Sequence, residues 1–168
     1  MLIYEEGGER VIAPLSLRDP EIVEQIWRLQ HAAYRLEAYA VGAKYMPPLP
    51  DTFETLMNST EVFYGDITSG GEIIGAIAVS TKKNEGTTEI TRLMVHPQHL
   101  RQGIGRKLLR HVIEHYSDTT LLEVTAGTLN APAVALYKQQ GFVATGTAMA
   151  MPDVELTIYQ LDPVKLSS

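Results

Sequence analysis

Residues 93–106 read LMVHPQHLRQGIGR. Leu93, Met94 and Val95 end a β-like run, Pro97 marks a turn, and Gly103 and Gly105 open a helical pattern in which Ile104, Leu108, Leu109, Val112 and Ile113 share one face. A helix start leaves several backbone N–H groups without intrahelical partners, and glycine lets an anion approach with no Cβ in the way. Gln102, Gly103, Ile104, Gly105 and Arg106 thus form a row of donors suited to a diphosphate. Local charge agrees: residues 90–113 contain no Asp or Glu but carry Arg92, Arg101, Arg106, Lys107 and Arg110. The loop is neither a Walker A nor a dinucleotide fingerprint, because it lacks GxxxxGK and Leu108 stands where GxGxxG needs its third glycine.

Outward from this loop, patterning predicts a short β arm at 2–5, a strand at 10–15, and a long helix from Pro20 with Asp19 as N-cap and Ile22, Val23, Ile26, Leu29, Ala33 and Leu36 at helical spacing. The prolines within 42–50 stop that helix, and Asp51 is expected to cap a short second one. Strands at 62–67, 72–82 and 87–95 form an antiparallel meander. After the 104–113 helix come a buried strand at 121–126, a helix at 131–140 stopped by Gly141, and a closing hairpin of 142–149 and 154–161. Strand, helix and strand across 87–126 imply a parallel pairing with a right-handed crossover, placing the glycine loop at a strand's carboxyl end, where open α/β sheets bind ligands.

At 168 residues the chain is long enough for one domain spanning 1–168 with a full core. With no Cys it has no disulfide, thiolate metal site or cysteine nucleophile. A net charge of −6 argues against general nucleic-acid binding and is compatible with a cationic acceptor. No apolar run approaches the roughly 18 residues of a membrane span, and MLIYEEGGER is not a signal sequence, so a cytoplasmic protein is expected.

A second segment, 130–142, reads NAPAVALYKQQGF. Asn130 suits a helix N-cap, Pro132 is tolerated in the first turn, and Tyr137, seven residues on, shares the helix face of Asn130. Together the two segments resemble the GNAT superfamily of N-acetyltransferases. Val95, Pro97, Gly103 and Gly105 match its V-x-P followed by R/Q-x-x-G-x-G/A, and 130–142 matches N-x-x-A-x-x-x-Y-x-x-x-G-F. Leu100 departs from the usual Arg or Gln; with Arg101 adjacent and binding mostly through backbone N–H, altered contacts rather than lost affinity are expected.

The resemblance implies an α/β fold: a mixed, mostly antiparallel twisted sheet of about seven strands with about four helices on its two faces. It implies acetyl-CoA as co-substrate, with no metal. Leu93, Met94 and Val95 would pair with the pantetheine arm, Arg101, Gln102, Gly103, Ile104, Gly105 and Arg106 would hold the pyrophosphate, and Asn130 and Tyr137 would also meet the cofactor. Tyr137 would protonate the departing thiolate, the role of a positioned general acid. Glu123 matches the base of ribosomal-protein N-terminal acetyltransferases, although its link to Asn130 is two residues longer; Glu89 is the other candidate. The acceptor, an amine-bearing small molecule or peptide, would meet Tyr34, Glu37 and Tyr45, with Tyr39, Met46 and Leu49 nearby. A homodimer is left open. The rival reading is an acyl-CoA-binding sensor or scaffold without turnover, which loss of Asn130 or Tyr137 would have favoured. HVIEH at 111–115 matches a zinc-peptidase pattern, but the segment already fits the helix after the glycine loop.

Overall fold

The computed structural model describes residues 2–5, 8–40, 51–82, 85–151 and 153–166. Among these, eight strands form one sheet: β1 (Leu2–Glu5), β2 (Gly8–Leu15), β3 (Val62–Thr68), β4 (Ile73–Lys82), β5 (Thr87–Val95), β6 (Leu121–Gly127), β7 (Val143–Met151) and β8 (Val154–Leu161). Their order is β1-β2-β3-β4-β5-β6-β8-β7. Every neighbouring pair is antiparallel except β5–β6, the expected crossover. The strand beyond the seven or so expected is β1, the predicted arm. The helices are α1 (Pro20–Ala40), α2 (Phe53–Met57), α3 (Ile104–His115), α4 (Ala131–Gln139) and the single turn α5 (Pro163–Leu166).

Alternation along β4 feeds two cores. Ile77 and Val79 point to one face, where Ile104, Leu108, Leu109 and Val112 of α3 and Tyr137 of α4 pack with Ile90, Val124 and Tyr159. Ala76 and Ala78 point to the other, under Val23, Ile26 and Leu29 of α1 and Leu56 of α2. Gly75 sets the close approach of α3: a Cβ there would lie 2.5 Å from Ile104 Cγ2, an overlap no side chain tolerates.

The helix ends follow local chemistry, with one correction. Asp19 caps α1, its Oδ1 accepting from Glu21 N at 3.0 Å. The N-cap of α2 is Thr52, not Asp51: Thr52 and Thr55 form a reciprocal capping box. Asp51 is drawn away by a more distant cation. At the far edge, β7 is paired only with β8, and the side chains of 143–150 are all exposed. No helix among the described residues is long and apolar enough to cross a membrane.

Candidate active site

The pairing of β5 with β6 spans four residue pairs and ends at Ile90 and Val124. Both strands continue, to Val95 and Gly127, so they diverge into a wedge. On its β6 side, the backbone of residues 91–95 has no strand opposite. A cleft of about 810 Å³ fills this wedge. Leu93, Met94, Val95, Leu100 and Gly105 form one wall, and Val124, Thr125, Ala126, Asn130, Leu136 and Tyr137 the other.

At one end lies the glycine loop. His96 Nδ1 accepts from Gln98 N at 3.1 Å and opens a single 3-10 turn, Pro97–His99. Arg101 (φ 66°) and Gly103 (φ 74°) then take left-handed conformations that swing the chain into α3. Thr52 and Asn130 cap α2 and α4 through their side chains, whereas Gly103, the N-cap of α3, makes no side-chain cap bond. A Cβ on Gly105 would sit 3.5 Å from Leu136 Cδ2 and 3.7 Å from Val95 Cγ2, in the narrow space between the walls. An uncapped helix start beside a gap kept open by glycine fits the diphosphate and pantetheine arm of CoA.

The cofactor residues expected from sequence divide by placement. Leu93, Met94, Val95, Gly105, Asn130 and Tyr137 line the cleft. Arg101, Gln102 and Arg106 are exposed around the loop, and Ile104 buries its side chain under the sheet, leaving only its backbone for a ligand. Asn130 Oδ1 accepts from Ala133 N at 3.4 Å, so Asn130 both caps α4 and faces the cleft. Tyr137 is buried, its ring centre 5.9 Å from those of Phe142 and Tyr159.

The two candidate bases stand side by side, since Glu89 and Glu123 are partners in the parallel register. They are not equivalent. Glu89 lines the cleft; Glu123 does not, and its Oε2 accepts from Gln160 Nε2 at 2.8 Å. In the acceptor set, Tyr34 lines the cleft. Glu37 falls within α1, but its side chain, like all of Tyr45, lies outside the described residues.

The sequence did not reveal a polar cluster that lines the cleft beside α1 and β5. Arg92 binds Asp51 (Nη1 to Oδ2, 2.8 Å) and Glu61 (Nη2 to Oε1, 2.9 Å), and also donates to Gln30. All four line the cleft. Arg92 reaches this face because Thr91 is an extra residue in β5: Ala78 pairs with Arg92 but Val79 with Ile90. Burial acts to raise the carboxyls of Asp51 and Glu61, but hydrogen bonds from Arg92, helped by Gln30 at Asp51 and Thr91 at Glu61, outweigh it and hold both below the usual carboxylate range. No local signal marks this cluster, since the residues Arg92 binds lie 31 to 62 positions away.

Residues 23–142 match the Acetyltransferase (GNAT) family. The chain belongs to this family. This GNAT chain is 36% identical over 149 residues to the UPF0157 protein YqkA of Bacillus subtilis (strain 168), covering 89% of itself and 43% of that protein. It is 36% identical over 87 residues to N-acetyltransferase 8 of Mus musculus, covering 46% of itself and 37% of that enzyme. It therefore spans less than half the length of either relative. Among solved structures, its fold superposes on the ribosomal-protein-S18-alanine N-acetyltransferase from Escherichia coli with a TM-score of 0.70 at 18% identity, covering 91% of this GNAT chain and 93% of the other.

Proposed function

We propose that this chain transfers the acetyl group of acetyl-CoA directly to a primary amine, with donor and acceptor bound together. The observation carrying this reading is the wedge between β5 and β6, which joins an anion-binding helix start to a cleft lined by an ionisable carboxylate and a phenol. Acetyl-CoA supplies an activated thioester. Residues 91–95 offer a free strand edge to its amide-bearing arm, while the backbone at Gly103 and Gly105, with Arg101, Gln102, Ile104 and Arg106 around them, holds its diphosphate.

Glu89 lines the cleft and takes the proton that the attacking amine must lose; Glu123, engaged by Gln160, supports the same strand position without facing the acceptor. Tyr137 Oη gives a proton to the departing sulfur. Tyr34 lines the cleft on the side proposed for the acceptor, and Glu37 and Tyr45 are proposed to bind it. The chain is further proposed to act in the cytoplasm.

The test is direct. Purified protein is incubated with acetyl-CoA and a panel of amines, following thiol release and the mass of the acetylated product. Acetylation of an amine supports the reading. Stabilisation by acetyl-CoA, worth about 2.7 kcal/mol at a hundredfold excess over Kd, with no product from any amine would favour a binding module instead.

A further inference from the structure

Arg92 is the sole cation among the described residues lining the cleft, and it has no donor left for an anion. A guanidinium carries five N–H groups. Here Nε donates to Glu61 Oε2 (3.0 Å), Nη1 to Asp51 Oδ2 (2.8 Å) and Gln30 Oε1, and Nη2 to Asp51 Oδ1 (3.3 Å) and Glu61 Oε1 (2.9 Å). Every donor is taken. The side chains of Arg92, Asp51 and Glu61 are only 18%, 21% and 17% exposed, so solvent screens this group weakly. Among the described residues lining the cleft, Asp51, Glu61 and Glu89 stand against the one guanidinium of Arg92, an excess of two acidic groups.

The cluster also fastens separate segments together. Gln30 comes from α1, Asp51 precedes α2, Glu61 precedes β3, and all three are tied to the irregular residues Thr91 and Arg92 of β5, where Thr91 Oγ1 also donates to Glu61. We propose that Arg92 is a positioning residue that sets acceptor selectivity: by holding Asp51 and Glu61 at the acceptor end, it makes the cleft take amines carrying a second cationic group and turn away amines carrying a carboxylate.

This inference rests on the acetyl-transfer reading of the same cleft. The attacking amine reacts only when uncharged and gives its proton to Glu89, so the net negative charge of the Asp51–Arg92–Glu61 group is not used by it. It falls to another positive group on the acceptor. A carboxylate entering here meets like charge and finds no free guanidinium N–H, which is discrimination by exclusion as well as attraction.

Three acceptors of equal chain length isolate the effect: putrescine, butylamine and γ-aminobutyrate. For each, kcat/KM is measured with saturating acetyl-CoA, and Kd is measured by calorimetry on the full chain saturated with CoA. Putrescine should exceed butylamine, and butylamine should exceed γ-aminobutyrate, each by about tenfold in kcat/KM, with Kd in the same order. Asp51→Asn removes one of the two excess charges and should narrow both gaps while leaving Kd for acetyl-CoA unchanged. Arg92→Lys keeps the charge but cannot make the two-sided grip, and should raise KM for putrescine more than it lowers kcat. Equal Kd for the three compounds, no binding by any of them, or variants that scale all three alike would overturn the proposal. Turnover without discrimination defeats this inference alone; ordered binding without turnover defeats the acetyl-transfer reading and leaves the selectivity standing.

Discussion

The general-acid role proposed for Tyr137 rests on one atom, its phenol oxygen. Its ring packs against Phe142 and Tyr159, so Tyr137→Phe should fold with a melting temperature near the parent and keep its acetyl-CoA affinity. Turnover should drop by about a hundredfold, the low end for a lost general acid, because a thiolate leaves readily; single-turnover kinetics would check this, and an unchanged rate would make Tyr137 a packing residue. Gly105→Glu tests the loop. A carboxylate in the first turn of α3 is favourable for the helix, yet it adds a side chain and a charge between Leu136 and Val95. The variant should melt normally and lose acetyl-CoA binding by calorimetry. Both positions were legible because helix starts, caps and their spacing are local. The difference in surroundings between Glu89 and Glu123 was not: Gln160, 37 positions beyond Glu123, is brought alongside it by the β6–β8 pairing. Asp51 was misread as a cap for a related reason. Asp and Thr are both favoured caps in a local pattern, and Arg92 draws Asp51 away from 41 residues distant.

At the level of elements, the Arg92 cluster joins α1 and the approaches to α2 and β3 to β5, and its energetics should show in pH. The folded pKa values of Asp51 and Glu61 lie below their unfolded values, so the stability these groups add is fully present above the unfolded carboxylate range and lost as pH falls through the folded values. Melting temperature should therefore fall on acidification below about pH 5. Arg92→Met, which strands two carboxylates, should cost about 3 kcal/mol at neutral pH in chemical denaturation and flatten that acid limb. Asp66 on β3 behaves oppositely. Burial pushes its carboxyl up, against the pull of Arg10 (Nε 3.7 Å from Oδ1) and His99, so its contribution is present below the unfolded pKa and lost as pH rises through the folded one. Asp66→Asn should accordingly raise the melting temperature at pH 7 and change little in acid. The strands themselves were readable from alternation and turn residues, but the extra residue Thr91 was not, since nothing in TTEITRLMV marks where the ladder skips.

For the molecule as a whole, the short tie between β5 and β6 matters beyond making room for a ligand. Four residue pairs, Thr87–Leu121 to Ile90–Val124, are the hydrogen-bonded join between the five strands β1–β5 and the ribbon of β6, β8 and β7. The joins next to it are longer: eight pairs link β4 to β5 and six link β6 to β8. Among the described residues nothing continues the sheet past β7, whose exposed strand, uncharged from Val143 to Met151, adds little anchorage. The ribbon should thus open as a cooperative unit before the central strands β3 and β4, as a short join between longer ones does. In native-state hydrogen exchange, amides of β6 and β8 should lose deuterium protection together and sooner than those of β3 and β4. A ligand bridging the wedge would act as an extra strand between the halves, and acetyl-CoA should slow exchange across the whole ribbon rather than only at the residues it touches.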